Sequence, residues 1–420
     1  MSIRNLFHSI LSSNSFWSWI PWLLLFLNTI LATWVVFSLH PMEGAVFSDM
    51  EGYIQRAQQI SDKEYHLIHF FQPIGYPLWV SFWRDIAGGG WGWLKFTHVA
   101  LVVLSVYIGW RIARRLLPPK WDIVALLLLS AHVQWWQLAS FALPETLYTF
   151  LVTSLVWFSV RWSENNRTSD AILVGVLFGL GFYVKGSAVF FPPVLLLWSV
   201  IRIYRHKVPV HLIQNQLVIM ALSAMAVAFS HGTYSYLKYG QVKLGAETGG
   251  LNFVEGKCKA KHNFDNVGGR WLSPLHNYLG EIEEKHWDVP FSNQAYYWRQ
   301  GWECIKENPV VILTSMRYVY YLFSGNPLWP AEAKITYYEA WFNIVIFPLF
   351  LIGILTACRH LDTPMLIPAL VLLSLLLTAW IFKSELRYRV PFDAIVMVYA
   401  ALGARTVWQG LRQSGPVGKD

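Results

Sequence analysis

Long apolar runs separated by short polar segments extend through most of this chain. The first run covers residues 16–39, and later runs come close to the length that crosses a bilayer. The first run is too long for the core of a signal peptide, and no small-residue cleavage site follows it. We therefore expect a retained membrane helix here and an all-α polytopic membrane protein overall.

Basic residues in the short loops orient these runs, because loops rich in lysine and arginine stay cytoplasmic. Arg4 precedes the first run, and the second run ends in a basic cluster formed by Arg111, Arg114, Arg115 and Lys120. Alternation from these loops predicts ten transmembrane helices with both termini cytoplasmic. The predicted spans are 16–39, 93–116, 121–138, 143–160, 170–183, 191–204, 211–236, 338–357, 365–382 and 390–407.

Three segments between the spans are predicted not to cross. Residues 75–86 are apolar but short and end at three glycines, which indicates an interfacial or re-entrant helix. Residues 310–323 are also short and contain Arg317, so we expect an interfacial helix. Residues 238–308 are polar and should form an external loop or small cap. The predicted organisation is an N-terminal module (1–237, with a first external loop at 40–90), a cap region (238–337) and C-terminal helices (338–420).

Composition supports a membrane protein and argues against a nucleic-acid-binding one. The 420 residues are 55% hydrophobic and only 14% charged, and 23 of them are tryptophan, a residue that favours membrane interfaces. The net charge of +8 comes from basic residues in short loops, which is the positive-inside pattern. Membrane lipids, and not nucleic acid, are therefore the expected surroundings.

The three cysteines make no metal or redox motif. Cys258 and Cys304 both fall in the polar external segment, where an oxidising compartment allows disulfides, and we predict a bond between them. The alternative is two unrelated thiols, since separation in sequence does not fix distance in space. Cys358 falls at a cytoplasmic helix end and is predicted to stay reduced.

The segment after the first span carries two acids close to the membrane. Ser48 and Glu51 have the spacing of a capping box at the start of an amphipathic helix. Asp49 has no such structural role, although the dipole of that helix would keep it ionised. An ionised, exposed acid at a lipid surface is suited to be a general base, and the alternative is an acid that is merely structural.

The predicted topology brings further ionisable residues to the external helix ends. They are Asp49, Glu51, His66, His69, Glu145, Lys185, Glu385, Arg387 and Arg389. None of them needs to lie at the middle of the bilayer, where an ion-coupled transporter would place its acids. Cations that converge on one place favour an anionic ligand, of which phosphate is the natural one.

Each of these residues also has an ordinary structural explanation. Lys185 could extend to the interface, and Glu145 could be a first-turn acid after Pro144. The 385–389 segment could be an interfacial anchor with an internal ion pair. His66 and His69 have a helical spacing that suits zinc, but no third ligand is evident.

Several short motifs resemble the GT-C superfamily of polytopic glycosyltransferases, in the style of the protein O-mannosyltransferases and aminoarabinose transferases. The Pro144-Glu145 helix start fits this pattern, and Lys185 departs from it because the family segment usually carries Arg-Pro. The first-loop motif here is Asp-x-Glu in place of adjacent acids, and the resemblance does not cover 238–308. Four stretches carry it: 48–53 (Ser-Asp-Met-Glu-Gly-Tyr), 72–78 (Gln-Pro-Ile-Gly-Tyr-Pro-Leu), 179–193 around Lys185, and 385–392 (Glu-Leu-Arg-Tyr-Arg-Val-Pro-Phe).

The resemblance implies transfer of a sugar from a polyprenyl-phosphate donor to an acceptor hydroxyl, with inversion, at the external face of the cytoplasmic (inner) membrane. The phosphate is already a good leaving group, so one base is enough, unlike the two carboxylates of a glycosidase. The implied roles are catalytic for Asp49 and Glu51, phosphate-binding for Lys185, Arg387 and Arg389, and substrate-binding for His69, Tyr76, Glu145, Glu385 and Tyr388.

The acceptor is left open between a lipid, a glycan and a protein. The sequence identifies no cofactor, and dependence on a divalent metal stays open. The competing functions are a lipid-linked glycan polymerase or ligase, and a lipid flippase or transporter. A single external site would favour transfer, whereas a site at the middle of the bilayer would favour transport.

Overall fold

The computed structural model describes residues 14–44, 46, 49–63, 73–240, 242, 249–262, 293–324, 341–359, 364–382, 384 and 386–413. Within these residues the chain is helical and contains no strand. The predicted all-α class is confirmed.

The helices that matter here follow the predicted segments closely. Three of them are continuous with wider helical turns at one end, at Val35–Leu39, Ser81–Ile86 and Phe342–Ile346. In chain order they are α1 (Asn14–Trp34), α2 (Asp49–Ser61), α3 (Gly75–Val80), α4 (Gly90–Leu116), α5 (Trp121–Ser130), α6 (Val133–Ala139), α7 (Glu145–Asn165), α8 (Thr168–Val184), α9 (Phe191–His206), α10 (Val210–Tyr239), α11 (Gly249–His262), α12 (Gln294–Glu307), α13 (Val311–Thr314), α14 (Met316–Ser324), α15 (Phe347–Arg359), α16 (Leu366–Ile381), α17 (Leu386–Arg389) and α18 (Asp393–Gln413).

Every predicted span overlaps at least one of these helices. Among the described residues, five helical stretches are long and apolar enough to cross a membrane, and three shorter apolar helices accompany them. The third predicted span is broken, because helical geometry stops at Ala131–His132 between α5 and α6. The five long stretches are Trp17–Gly44, Gly90–Leu116, Val210–Leu237, Phe342–Arg359 and Leu386–Gln413.

The segments predicted to be interfacial form short helices. The stretch from Gly75 to Ile86 ends before two glycines with positive φ, Gly88 and Gly90. Residues 311–324 divide into α13 and α14, of four and nine residues. Because a crossing helix needs about 20 residues, neither segment is long enough to span alone.

Small residues allow the spanning helices to pack closely. A side chain on Gly353 of α15 would lie 1.8 Å from the carbonyl oxygen of Tyr399 in α18, so the two backbones are in direct contact. Gly175 and Gly179 of α8 meet α10 in the same way. Such close approach replaces the hydrophobic driving force that helices lack in lipid.

Polar residues gather at the helix ends that the topology places in the cytoplasm. Arg115 at the end of α4 forms an ion pair with Glu164 near the end of α7. Arg161 contacts the buried Asp170 at the start of α8, with 3.1 Å between nitrogen and oxygen. The opposite ends of α7 and α8, at Glu145 and Lys185, also meet one another, so the predicted alternation holds for these helices.

Helices α11 and α12 form a cap joined by the predicted disulfide. Cys258 and Cys304 are bonded, with their Cα atoms 5.4 Å apart, so the disulfide prediction is confirmed and Cys358 is a free, exposed thiol. The cap rests on the end of α16, where the buried Lys257 amine donates to the Trp380 carbonyl at 2.7 Å and to the Ser315 hydroxyl at 3.0 Å.

Candidate active site

The first acidic residue of the external motif is paired with an arginine from the far end of the chain. Asp49 begins α2, and its Oδ2 accepts from a terminal nitrogen of Arg387 on α17 at 2.7 Å. Their side chains are 34% and 20% exposed, so the pair is partly open to solvent. Ser48 lies outside the described residues, so the capping box stays a prediction.

A second ion pair joins the neighbouring helix ends. Lys185, directly after α8, donates to Glu145 Oε1 at the start of α7 over 2.9 Å. The glutamate side chain is 2% exposed, and its other oxygen has no hydrogen-bond partner among the described residues. A buried carboxylate oxygen with spare accepting capacity is well suited to a substrate hydroxyl.

Tyr388 connects the two pairs into one site. The Lys185 amine lies 4.3 Å from the centre of its ring, and the Arg387 guanidinium lies 5.7 Å from it. Both distances are within the range of a cation–π contact. Five side chains from α2, α7, α17 and the end of α8 therefore share one place at one end of the bundle.

Two tyrosines complete the wall of this site. The rings of Tyr53 on α2 and Tyr76 on α3 meet edge to face with centroids 5.3 Å apart. Burial, together with the charges of Glu145 and Asp49, raises the pKa of Tyr53. Burial and the charge of Glu145 likewise raise the pKa of Tyr76, so both hydroxyls stay protonated and can donate hydrogen bonds. The sequence predicted Tyr76 in the site, but it predicted Tyr53 only as part of an amphipathic face.

The remaining predicted residues lie outside this cluster or outside the described residues. Glu51 is exposed in the first turn of α2. Arg389 is 1% exposed and is turned into the protein interior, where its guanidinium is bonded to Asp393 at 2.9 Å. Contact with a donor phosphate would require this buried ion pair to open. His69, Glu385 and also His66 are not among the described residues.

The polar residues around Arg389 were not found from sequence. His132, Gln134 and Asp393 all contact it or one another while being almost fully buried. His132 and Gln134 fall in an apolar run that was predicted as one continuous span. The signal that was available was the presence of two polar side chains inside that run.

A large apolar cavity adjoins the site. It has a volume of about 1040 Å³ and lies between α2, α3, α7, α8 and α10. Leu147 and Val184 are in its wall, close in sequence to Glu145 and Lys185. Its polar lining comes from Lys63 and from residues 230–234 near the end of α10.

The described residues offer no ready-made metal site. In that part of the chain, no three His, Cys, Asp or Glu side chains are close enough to hold a metal ion. Asp49 and Glu145 each bind a cationic side chain.

Comparison with known proteins supports the motif-level resemblance. Residues 72–231 match the family model described as dolichyl-phosphate-mannose-protein mannosyltransferase. This region contains Tyr76, Glu145 and Lys185, while Asp49 and Arg387 lie outside it. No curated protein matches the sequence.

The fold is shared with solved membrane glycosyltransferases. The oligosaccharyltransferase AglB of Archaeoglobus fulgidus, in complex with an inhibitory peptide and a dolichol-phosphate, aligns with a TM-score of 0.56 and 13% identity over 95% of this chain. The apo form of the Archaeoglobus fulgidus oligosaccharyltransferase aligns with a TM-score of 0.54 and 16% identity over 94% of this chain. The predicted resemblance to polytopic glycosyltransferases is confirmed by the family model over residues 72–231 and by the shared fold.

This chain spans about half the length of those two proteins, 52% and 51%. ArnT from Cupriavidus metallidurans bound to undecaprenyl phosphate also aligns, with a TM-score of 0.40 and 12% identity over 93% of this chain and 78% of ArnT.

Proposed function

We propose that this protein is an integral membrane glycosyltransferase that moves a sugar from a polyprenyl-phosphate donor to an acceptor hydroxyl at the external face. The observation that carries the proposal is the single site in which Tyr388 joins the Asp49–Arg387 and Glu145–Lys185 ion pairs. The family model and the fold support the same reaction class.

The two cations are suited to the donor phosphate. With Asp49 and Glu145 they form a site of zero net charge, in which each charge is compensated while the donor is absent. An arriving phosphodiester carries one negative charge and competes with Asp49 for Arg387. In this proposal the phosphate binds Arg387 and Lys185, and the Asp49 carboxylate is released.

Asp49 then acts as the general base. It takes the proton of the acceptor hydroxyl while the oxygen attacks the anomeric carbon and the bond to the phosphate oxygen breaks. The negative charge of Asp49 disappears as the departing polyprenyl phosphate gains one. Arg387 and Lys185 stabilise that developing charge, which is the main electrostatic contribution to the rate. One direct displacement of this kind inverts the anomeric configuration.

The sugar is expected against Glu145 and the two tyrosines. The Glu145 oxygen that has no partner among the described residues accepts from a sugar hydroxyl. Tyr53 and Tyr76 lie near that carboxylate, and burial together with its charge raises the pKa of both. The apolar cavity beside Lys185 accommodates part of the isoprenoid chain, since its lining is largely hydrocarbon. Glu51 lies two residues beyond Asp49 and is proposed to assist it in catalysis. His69, Glu385 and Tyr388 are proposed to assist binding of the substrate.

The disulfide supports an external site. Disulfides persist in oxidising compartments, and the cap that carries Cys258–Cys304 rests on the end of α16. Thr378 near that end donates to the Ser187 carbonyl, two residues from Lys185. The disulfide and the site therefore lie at the same end of the bundle, which in a bacterial cell would face the periplasm.

The geometry favours transfer over transport. Asp49, Lys185 and Arg387 are held at helix ends, whereas a transporter places its binding site near the middle of the bilayer in broken helices. A flippase would also have no need for a partly exposed acid beside the phosphate cations.

A panel of radiolabelled donors tests the proposal. Purified protein in vesicles is incubated with polyprenyl-phosphate monosaccharides and, in parallel, with polyprenyl-diphosphate oligosaccharides, in the presence of membrane extract as acceptor. We expect transfer from at least one monosaccharide donor, with release of polyprenyl phosphate. Transfer from the diphosphate donors alone would identify a polymerase or ligase, and movement of intact donor across the bilayer would identify a flippase.

A further inference from the structure

A buried polar network lies directly behind the proposed site. Arg389 donates from Nε to Asp393 Oδ1 at 2.9 Å and from its terminal nitrogens to Gln134 Oε1 and the Leu322 carbonyl, each at 3.2 Å. The His132 Nε2 atom is 2.8 Å from Asp393 Oδ2. The four side chains are between 0% and 1% exposed, so every charge in the network depends on its partners.

The network connects segments of the chain that are far apart in sequence. His132 comes from the break between α5 and α6, Gln134 from the first turn of α6, and the Leu322 carbonyl from α14. Phe342, before α15, covers the Arg389 guanidinium at 3.7 Å from its ring centre. His132 reaches Asp393 at the start of α18, while Gln134 reaches Arg389 at the end of α17.

Helix α17 has little stability of its own. It contains only four residues, fewer than the number needed for an isolated helix to form. Arg387 and Tyr388 on this turn contact the proposed site, whereas Arg389 contacts the network. The position of Arg387 therefore depends on the contacts of its neighbours in sequence. Arg389 is bonded in the network, Ser384 donates to the Tyr318 carbonyl, and the Val390 carbonyl accepts from Trp135.

We infer that Arg389, Asp393 and His132 are positioning residues, which hold α17 so that Arg387 and Tyr388 meet the donor phosphate. This inference rests on the proposed function for what Arg387 binds, but not for how α17 is held. The Asp393 carboxylate, paired with Arg389, can only accept hydrogen bonds, so His132 must donate its Nε2 proton to it. A residue at position 132 that keeps a donor should therefore keep the network.

Hydrogen–deuterium exchange of the full-length protein in detergent micelles tests the position of α17 without any substrate. Arg389→Lys keeps the charge but loses the fork of donors, and His132→Leu removes the donor to Asp393. We expect exchange of residues 386–392 to rise about tenfold in both, as for the loss of one hydrogen bond to a charged group. His132→Gln retains an amide donor and should stay close to wild type.

Asp170→Asn provides the matched control. Asp170 is a fully buried carboxylate paired with an arginine, as Asp393 is, but at the opposite end of the bundle. Its substitution should leave exchange at 386–392 unchanged. If exchange at 386–392 stays at the wild-type rate in both Arg389→Lys and His132→Leu, the inference is overturned. If Arg389→Lys does not fold, the comparison of His132→Leu with His132→Gln decides.

Kinetics separates this inference from the proposed function. With a donor that the wild type uses, Arg389→Lys and His132→Leu should raise the KM for the donor about tenfold, because each loses one hydrogen bond to a charged group. The KM for the acceptor should stay unchanged. An equal rise in both KM values would contradict specific positioning of Arg387. Absence of transfer by the wild type from every donor would overturn the proposed function, and the exchange data would still decide how α17 is held.

Discussion

At the level of single residues, two arginines that are two positions apart have separate surroundings. Arg387 contacts Asp49 and the Tyr388 ring, whereas Arg389 contacts Asp393 in the interior. Successive residues of a helix are turned by about 100°, so residues two apart face nearly opposite directions. The sequence predicted that Arg387, Arg389 and the first-loop acids lie at the same external helix ends. It could not separate the two arginines, because α17 is too short to be recognised from its pattern.

Removal of either of the two cationic side chains proposed to bind the phosphate should weaken donor binding. Arg387→Ala and Lys185→Ala each delete a cation that would bind the phosphate in a partly dry site. We expect donor affinity to fall about tenfold to a hundredfold, as for a lost hydrogen bond between charged groups. Equilibrium binding of polyprenyl phosphate to purified protein measures it.

Arg84→Ala is the control, because Arg84 lies in the interfacial turn after α3 and pairs with Asp85. Its affinity should equal that of the wild type. Unchanged affinity in both Arg387→Ala and Lys185→Ala would mean that these residues are interfacial anchors only.

At the level of elements, the hydropathy pattern located most helices and missed one break. The segment after the first span, the glycine-terminated 75–86 segment and the 310–323 segment all form short helices, and their location at the membrane interface stays a prediction. The break at Ala131–His132 was invisible because both flanks are apolar and hydropathy does not report backbone geometry. What stabilises it is long-range, since His132 and Trp135 are bonded to Asp393 and to the Val390 carbonyl.

A close contact between α3 and the end of α8 should be sensitive to one methyl group. A side chain on Gly75 would lie 2.8 Å from the Tyr183 carbonyl oxygen, so Gly75→Ala must push the two helices apart. We expect a loss of about 1–3 kcal/mol in stability and lower transfer, since the same helix carries Tyr76.

Thermal unfolding measures the stability difference. The matched control is Gly92→Ala, where an added methyl group meets nothing within 4 Å and the helical position favours alanine. A Gly75→Ala protein as stable as Gly92→Ala would contradict the described packing.

The cap should become more stable at alkaline pH. Burial lowers the pKa of Lys257 from 10.5 to about 8. Between these two values the unfolded chain binds more protons than the folded one, so the free energy of unfolding rises with pH. Cap unfolding followed by exchange of residues 249–262 at pH 7 and pH 9.5 measures this rise. The rise should disappear in Lys257→Met, and a wild type without any rise would contradict it.

At the level of the whole molecule, the alternation of charged loops predicted which helix ends would meet. The ends of α4, α7 and α8 with basic loops lie together, and the first-loop acid meets the segment before α18 at the other end. The positive-inside rule uses only the charge of the loops. Its assignment of helix ends to one side of the membrane therefore does not depend on the exact bounds of each helix. The disulfide of the cap was also predicted from sequence, whereas the docking of the cap on Trp380 depends on contacts that composition does not encode.

The cysteines allow a test of sidedness. Cys358 is exposed at the end of α15, and Cys258–Cys304 lies at the end of the bundle that carries the proposed site. A membrane-impermeant maleimide should label Cys358 only in inside-out vesicles. In right-side-out vesicles it should label only Cys258 and Cys304, and only after reduction. Labelling of Cys358 from the outside would reverse the proposed orientation.

The measurement that tests the central claim most directly is the turnover of Asp49→Asn with a donor that the wild type uses. The variant keeps the shape of the side chain and removes its basicity, so release of polyprenyl phosphate should fall about a hundredfold or more, while donor binding is retained. Asp62→Asn, one residue beyond the other end of α2, where the carboxylate accepts hydrogen bonds from the Gln58 amide, should turn over like the wild type. Near-normal turnover by Asp49→Asn would contradict the account.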